Sequence, residues 1–211
     1  MGSKRSPQEA AHSGRVFLKK PSAADGPELR RLRRASWSFL EPWEPAPAKG
    51  VSPFGPKWLE GFLAGARRRD CERFLLCLEE TGAIVGQLGL SNIVRGVFHS
   101  AYLGYWIGAA YARRGLMGEG VALVLDEAFG PLGLHRVEAN IRPENLPSRA
   151  LVERAGFRLE GYSPQYLRIA GEWCDHERWA LLADEWSAGV RPGSGRAGAR
   201  KVRGSRTRRR R

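Results

Sequence analysis

The sequence predicts a mixed α/β (α+β) fold, a mainly antiparallel twisted sheet flanked by helices. Three observations carry this reading. Two strand pairs close on glycine turns: CERFLLCLEE with AIVGQLGLSNI around Thr81-Gly82, and YLRI with EWCDHERWALL around Ala170-Gly171. Between them Val121, Val124, Leu125, Ala128 and Phe129 recur at i, i+3, i+4, i+7 and i+8, one apolar face of a helix. The periodic runs follow one another as strand, two helices, three strands, helix, strand, helix and hairpin, with no internal repeat.

Taken in order, RVFLKK over Arg15–Lys20 reads as a short opening strand that Pro21 stops. Pro27 opens a helix over PELRRLRRASWSFL, with Leu29, Leu32, Trp37 and Leu40 among charges. The next stretch, EPWEPAPAKGVSPFGP, holds five prolines and is predicted as loop. KWLEGFLAGARRR then spaces Trp58, Leu59, Phe62 and Leu63 as a helix does. The Thr81-Gly82 hairpin follows, then HSAYLGYWIG as a third, aromatic-rich strand. After the 121–129 helix, HRVEANI is a strand that starts at His135. PENLPSRALVERAGF is a helix with Leu151, Val152 and Ala155 inside and Gly156 at its C-terminal cap. The Ala170-Gly171 hairpin ends the pattern.

Composition divides the chain into three parts. The net charge is +13, but residues 187–211 carry ten Lys/Arg and no acid, and residues 1–14 add a net +1, which leaves 15–186 at +2. The predicted domain is therefore 15–186, between a flexible N-terminus (1–14) and a basic tail (187–211) whose Gly, Ser and Arg content predicts disorder. At 42% hydrophobic residues the body can bury a sizeable core. No run of about 18 apolar residues occurs, so no membrane span is predicted, and the N-terminus lacks the apolar region of a secretory signal. MGSKRS does match the short myristoylation pattern at Gly2 and Ser6. Cys71, Cys77 and Cys174 are odd in number and lack metal-ligand spacing, which suits reduced thiols in a cytoplasmic protein with no metal.

The chemistry concentrates in YARRGLMGEG, residues 111–120, a glycine-bearing turn between a strand and a helix. A helix N-terminus offers unpaired N–H groups and a partial positive charge, and so holds phosphate. Gly115 and Gly118 lack Cβ atoms and let a ligand approach the backbone, while Arg113 and Arg114 can add charge-assisted contacts. The same residues also describe an ordinary capped helix with two solvated arginines.

The flanks decide between these. YLGYWIGAAYARRGLMGEGVALVLDEAF, then LHRVEANIRPENLPSRALVERAGFRLEGY, then YLRIAGEWCDH resemble the GNAT superfamily of acetyl-CoA-dependent N-acetyltransferases. Within it the likeness is to the RimJ/RimL branch, which acetylates the N-termini of ribosomal proteins. The resemblance is dense over 100–182, looser over 15–95, and absent from the tail. It implies that acetyl-CoA is the co-substrate and that the turn wraps its pyrophosphate, in a family pattern (Gln/Arg)-x-x-Gly-x-(Gly/Ala). Here that register runs Ala112-Arg113-Arg114-Gly115-Leu116-Met117, with Ala112 where Gln or Arg is usual and Met117 at the sixth position. Both departures are tolerable if backbone amides hold the phosphates, and Arg113 can replace the missing side chain. Gly118 and Glu119 complete the implied binding turn. The strand YLGYWIG would pair its backbone with the pantetheine arm, and the N–H groups near Trp106 and Ile107 would polarise the acetyl carbonyl. Their side chains are expected to pack in the core.

Acetyl transfer to an amine needs a neutral amine, a stabilised oxyanion and a proton for the leaving thiolate. Asn145 and Ser148 sit three apart at a helix start, where both residue types favour capping. The resemblance gives Asn145 a coenzyme contact and places Ser148 near the sulfur as the acid. The strand from Phe98 to Gly108 has no carboxylate, where many relatives carry a Glu, so Glu160, Asp175, His176 and Glu177 stand as candidate bases. An α-amine is roughly a third neutral at about pH 7.5, whereas a lysine amine is neutral in about one part in a thousand. A weak base therefore suits an N-terminal acceptor, and the protein N-terminus, that of a ribosomal protein foremost, is the expected partner. A small amine is the competing acceptor, and a non-catalytic coenzyme-binding, RNA-associated module is the competing class. Acceptor choice is expected to lie in loop 41–56, the 91–98 connection and the terminal hairpin.

Ten positive charges in the 25 residues of the tail predict weak RNA contact without sequence preference. Each neutralised phosphate on a single strand contributes a slope of about −0.7 in log affinity against log salt. Deleting 187–211 should flatten the salt dependence of RNA binding and leave acetylation of a free peptide unchanged. Loss of peptide activity on truncation would place the tail within the fold.

Overall fold

A computed structural model describes residues 13–187. The expectations for the first twelve residues and for the basic tail beyond Ser187 lie outside the described residues. The elements run β1 (Val16–Lys19), α1 (Gly26–Ala35), α2 (Trp37–Leu40), α3 (Pro56–Gly65), β2 (Cys71–Leu78), β3 (Ile84–Val94), β4 (Ser100–Ile107), α4 (Leu116–Phe129), β5 (Arg136–Ile141), α5 (Leu146–Arg154), β6 (Arg158–Ile169), β7 (Glu172–Leu182) and α6 (Ala183–Ser187). Seven strands form one sheet in the order β1-β2-β3-β4-β5-β7-β6. Every neighbouring pair is antiparallel except β4 and β5, which α4 connects as a crossover. Among the described residues, no helix is long and apolar enough to cross a membrane.

Strand alternation sorts the apolar residues onto two faces. On β2, Leu75 and Cys77 join Leu29, Leu40, Phe62, Ile84 and Trp106 in a cluster with α1–α3. Phe74 and Leu76 point the other way, into the larger core with Val121, Val124, Leu125 and Ala128 of α4. Those four helix residues, read from periodicity alone, are fully buried. Burial pushes the Cys77 thiol up to about 11, so it sits in the sheet as an inert apolar group.

Three features depart from the sequence reading. The helix expected over 27–40 breaks at Ser36 (φ −107°, ψ 4°), whose hydroxyl accepts a hydrogen bond from Ala109 N at 3.0 Å; a serine that bonds elsewhere is a weak helix former. The strand expected from Tyr166 begins at Arg158. Register shifts between Leu159 and Gly161 and between Ser163 and Leu167 hide its alternation, and Pro164 is tolerated because β6 is an edge strand. A short helix, α6, also follows the last strand and buries Trp186. Both hairpins close where expected: Gly82 adopts φ +70°, and Ala170 and Gly171 adopt φ +49° and +93°.

A Cβ on Gly86 of β3 would lie 2.5 Å from the Trp106 carbonyl of β4. Backbone cannot yield as a side-chain tip does, so Gly86→Ala should destabilise the protein by about 1–3 kcal/mol, read as a lower urea midpoint. An unchanged midpoint would mean that β3 and β4 are less closely held than described.

Candidate active site

β4 and β5 pair only over Ser100–Tyr102 and Arg136–Glu138, yet β4 runs on to Ile107 and β5 to Ile141. Beyond Tyr102 the strands part, and the β4 edge that faced β5 has no strand partner among the described residues. A cavity of about 730 Å³ lies where the end of β4, the starts of α4 and α5, and residues 38–44 meet. Its lining brings together Trp106 and Ile107 from β4, Arg113, Arg114, Gly115, Met117 and Gly118 from the head of α4, and Asn145 and Ser148 from the start of α5.

At the head of α4, Arg113 and Gly115 both hold positive φ, +61° and +80°. The amides of residues 113–117 find no acceptor among the described residues; the first helical bonds are Gly118 and Glu119 N–H to the Gly115 carbonyl. The result is a concave row of free N–H groups at the positive end of a helix, suited to an anion such as a pyrophosphate. The arginine and glycine residues divide the work here. Neither Arg113 nor Arg114 has a carboxylate partner among the described residues, and Arg114 lies 5.9 Å over the Tyr111 ring. A Cβ on Gly118 would meet only ordinary contact, Leu151 Cδ1 at 3.7 Å, whereas one on Gly120 would come within 2.8 Å of Leu76. Gly118 thus has room for a Cβ on the cavity wall, and Gly120 lets α4 pack on the sheet. Met117 turns its side chain into the core, so its backbone is what it can offer.

Glu119 stands apart from the cavity lining. Its carboxylate takes Arg15 Nε at 2.7 Å and Ser13 Oγ at 3.0 Å, and pairs with the Arg15 Nη2. Arg15 Nη1 also donates to the Arg114 carbonyl at 3.2 Å, so one side chain from β1's entry braces both the turn and the first turn of α4.

On β4, the Gly108 N–H donates to Val85 of β3 at 2.8 Å. Strand alternation then directs the Trp106 N–H toward β3 as well and leaves the Ile107 N–H on the parted side. The Trp106 side chain packs in the α1–α3 cluster, its Nε1 donating to Gln87 Oε1 at 2.8 Å. Tyr105, one residue earlier, faces the other way with Ile107. Its hydroxyl lies 2.6 Å from Ser148 Oγ, and burial pushes the phenol up to about 12. The pair is therefore neutral and proton-bearing at any physiological pH. In sequence the aromatic run reads as core and hides Tyr105; period-2 alternation, which sets Tyr105 with Ile107 and against Trp106, is the signal that marks it.

Asn145 caps α5, its Oδ1 accepting Ser148 N at 3.2 Å. Capping uses only the oxygen, and the Asn145 Nδ2 has no partner among the described residues, so it can still donate into the cavity.

None of the four expected bases lines the cavity. Glu160 is held between Arg136 and Arg158, and hydrogen bonding to Arg136 is the main cause that lowers its carboxyl. Asp175 accepts from Tyr162 and from Gln165 N, and is lowered likewise. Glu177 is buried against Arg149 (2.9 Å) and Trp179 Nε1 (3.0 Å). His176 is buried, with Nδ1 2.9 Å from the Cys174 carbonyl, and desolvation lowers its pKa. Among the described residues, the one carboxylate in the cavity lining is Glu44, from the proline-rich loop.

Comparison with known proteins places this geometry. The Acetyltransferase (GNAT) domain family matches residues 15–158. Over 153 residues the chain is 35% identical to the [Ribosomal protein uS5]-alanine N-acetyltransferase of Escherichia coli (strain K12), covering 72% of this chain and 79% of the relative. The solved structure of Mycobacterium smegmatis RimJ in complex with CoA-disulfide is 34% identical, with a TM-score of 0.73 over 83% of this chain and 90% of that one. The ribosomal-protein-S5-alanine acetyltransferase of Vibrio fischeri, 24% identical, shares the fold at a TM-score of 0.74 over 85% and 99%. The parted strands, the free amides at the head of α4 and these matches together make the chain a member of the GNAT family, an acetyl-CoA-dependent N-acetyltransferase.

Proposed function

We propose that this enzyme transfers acetyl from acetyl-CoA to the α-amine at a protein N-terminus, a ribosomal protein being the favoured acceptor. The observation that carries the reading is the cavity's proton inventory: two coupled neutral hydroxyls, and one carboxylate that already accepts a guanidinium. Such a site delivers a proton readily and removes one weakly. That matches an α-amine, roughly a third neutral at about pH 7.5, better than a lysine amine. The 35% identity to an enzyme named for N-acetylating an alanine of a ribosomal protein supports the same acceptor.

In this reading the amides of 113–117 hold the pyrophosphate, with Arg113 and Arg114 adding charge. The unpaired edge of β4 takes the pantetheine amides as a neighbouring strand would. The Ile107 N–H polarises the thioester carbonyl and stabilises the oxyanion. Asn145 Nδ2 donates to a coenzyme carbonyl. The amine attacks the carbonyl carbon, the C–S bond breaks, and Ser148 passes a proton to the thiolate, drawing its replacement from Tyr105 over their 2.6 Å contact.

Incubating the enzyme and labelled acetyl-CoA with ribosomal proteins and small amines in parallel, then locating the label, tests the acceptor. Label on a small amine alone would overturn the N-terminal assignment.

Three variants separate binding from chemistry. Gly115→Val puts a β-branched residue at φ +80° and a Cβ 3.1 Å from Arg15 Nη2. Acetyl-CoA affinity by calorimetry should fall at least about tenfold, the cost of about 1–2 kcal/mol for a side chain in that conformation; unchanged affinity would dismiss the cradle. Ser148→Ala and Tyr105→Phe should each lower kcat by about 10²-fold, within the range for a lost proton donor, with acetyl-CoA affinity nearly intact. Full turnover in Ser148→Ala would return that residue to the helix cap.

A further inference from the structure

We infer that Glu44 is the acceptor-side carboxylate: it receives the ammonium of the incoming amine and takes one of its protons. The inference rests on the amine-acceptor reading above and names a residue for the step that reading leaves open.

Among the described residues, Glu44 is the one acid in the lining of the cavity that also holds Tyr105 and Ser148. It is fixed there from several directions. Arg33 of α1, itself buried, donates Nη2 to Glu44 Oε2 at 2.9 Å and Nη1 to Oε1 at 3.4 Å. The Arg33 guanidinium in turn lies 4.7, 5.2 and 5.4 Å over the rings of Trp58, Trp37 and Trp106, and its Nε donates to the Pro53 carbonyl at 2.8 Å. The Glu44 carbonyl accepts Ala170 N at 2.9 Å from the tip of the β6–β7 hairpin. Just before it, the Pro42 carbonyl accepts Arg142 Nη1 at 3.0 Å. The carboxylate is thus held in the cavity by groups that leave its side chain 23% exposed, and a carboxylate has lone pairs for more than one donor.

The proton balance follows. The acceptor arrives as R–NH3+; one proton passes to Glu44 and leaves a neutral nitrogen. That nitrogen attacks the thioester carbon. The tetrahedral adduct loses a second proton to solvent, the C–S bond breaks, and the thiolate takes its proton from the Ser148–Tyr105 pair. Glu44 returns its proton to solvent, and the Ser148–Tyr105 pair takes one back from solvent. The products are the amide, coenzyme A thiol and one net proton. An α-ammonium near about 7.7–8.0 gives up its proton far more readily than a lysine ammonium near about 10.4.

The test compares full-length wild type, Glu44→Gln and Glu44→Asp at about pH 6.5 and about pH 9, on either side of the α-amine pKa. Acceptors are peptides beginning with Ala or Ser, and spermidine; acetyl-CoA affinity is measured by calorimetry. At the lower pH, Glu44→Gln should lose about 10- to 100-fold in kcat/KM for the acceptor, the worth of a hydrogen bond to a charged group. At the higher pH, where the amine is already neutral, the loss should shrink to a few-fold. Acetyl-CoA affinity should stay unchanged throughout, and Glu44→Asp should recover part of the loss. An equal loss at both pH values would make Glu44 a loop anchor through Arg33 and overturn the inference, as would no loss. Should Glu44→Gln fail to fold, the wild-type profile decides: kcat/KM that climbs about twentyfold between the two pH values, tracking the free amine alone, overturns the inference, and a level profile upholds it. A wild type active only on spermidine would overturn the N-terminal acceptor, and because such an amine stays charged at both pH values, Glu44 would then be judged by whether Glu44→Gln lowers kcat/KM with acetyl-CoA affinity unchanged; one that acetylates none of these overturns both.

Discussion

The parting of β4 from β5 is the constraint on which the site depends. A parallel pair in a closed sheet would satisfy its edges and leave nothing for a ligand. Here the pairing stops after three residues on each strand, and the remaining length of β4 keeps a free backbone edge beside the head of α4. The same interruption brings Tyr105 on β4 and Ser148 on α5 within 2.6 Å, although they are 43 residues apart in sequence. Backbone for binding and hydroxyls for proton delivery therefore come from one topological event.

Charged side chains then fix the parts that secondary structure leaves loose. Arg15 joins β1's entry to the turn before α4 and to Glu119 within it. Arg33 joins α1 to both ends of a proline-rich loop, through Glu44 and Pro53. The two differ in setting: Arg15 is largely exposed, where a pair contributes up to about 1 kcal/mol, whereas Arg33 is buried among three indole rings. A buried guanidinium left without Glu44 would be strongly destabilising. The loop that sequence marks only by prolines is thereby a defined wall of the cavity.

The acids outside the cavity show how placement decides chemistry. Glu160, Asp175 and Glu177 lie on β6 and β7, and each is taken up by arginine, tyrosine or tryptophan donors that hold the sheet's edge together. His176 is desolvated and bonded to its own strand. These residues have the right functional groups for a base and the wrong neighbours.

The sequence by itself determined the order of the strands and of the longer helices, both hairpin turns, the buried face of α4 and the turn at Gly115, because each is a local matter of periodicity or of backbone freedom at a glycine. It also marked Asn145 and Ser148, whose spacing at a helix start is local too. Only the tertiary structure decided that Tyr105 meets Ser148, that Glu119 faces Arg15 rather than the cavity, and that Glu44 enters the cavity while Glu160, Asp175, Glu177 and His176 do not. Those outcomes depend on contacts between residues tens to a hundred positions apart. They are set by which face of a strand meets which helix, and no pattern within one segment records that.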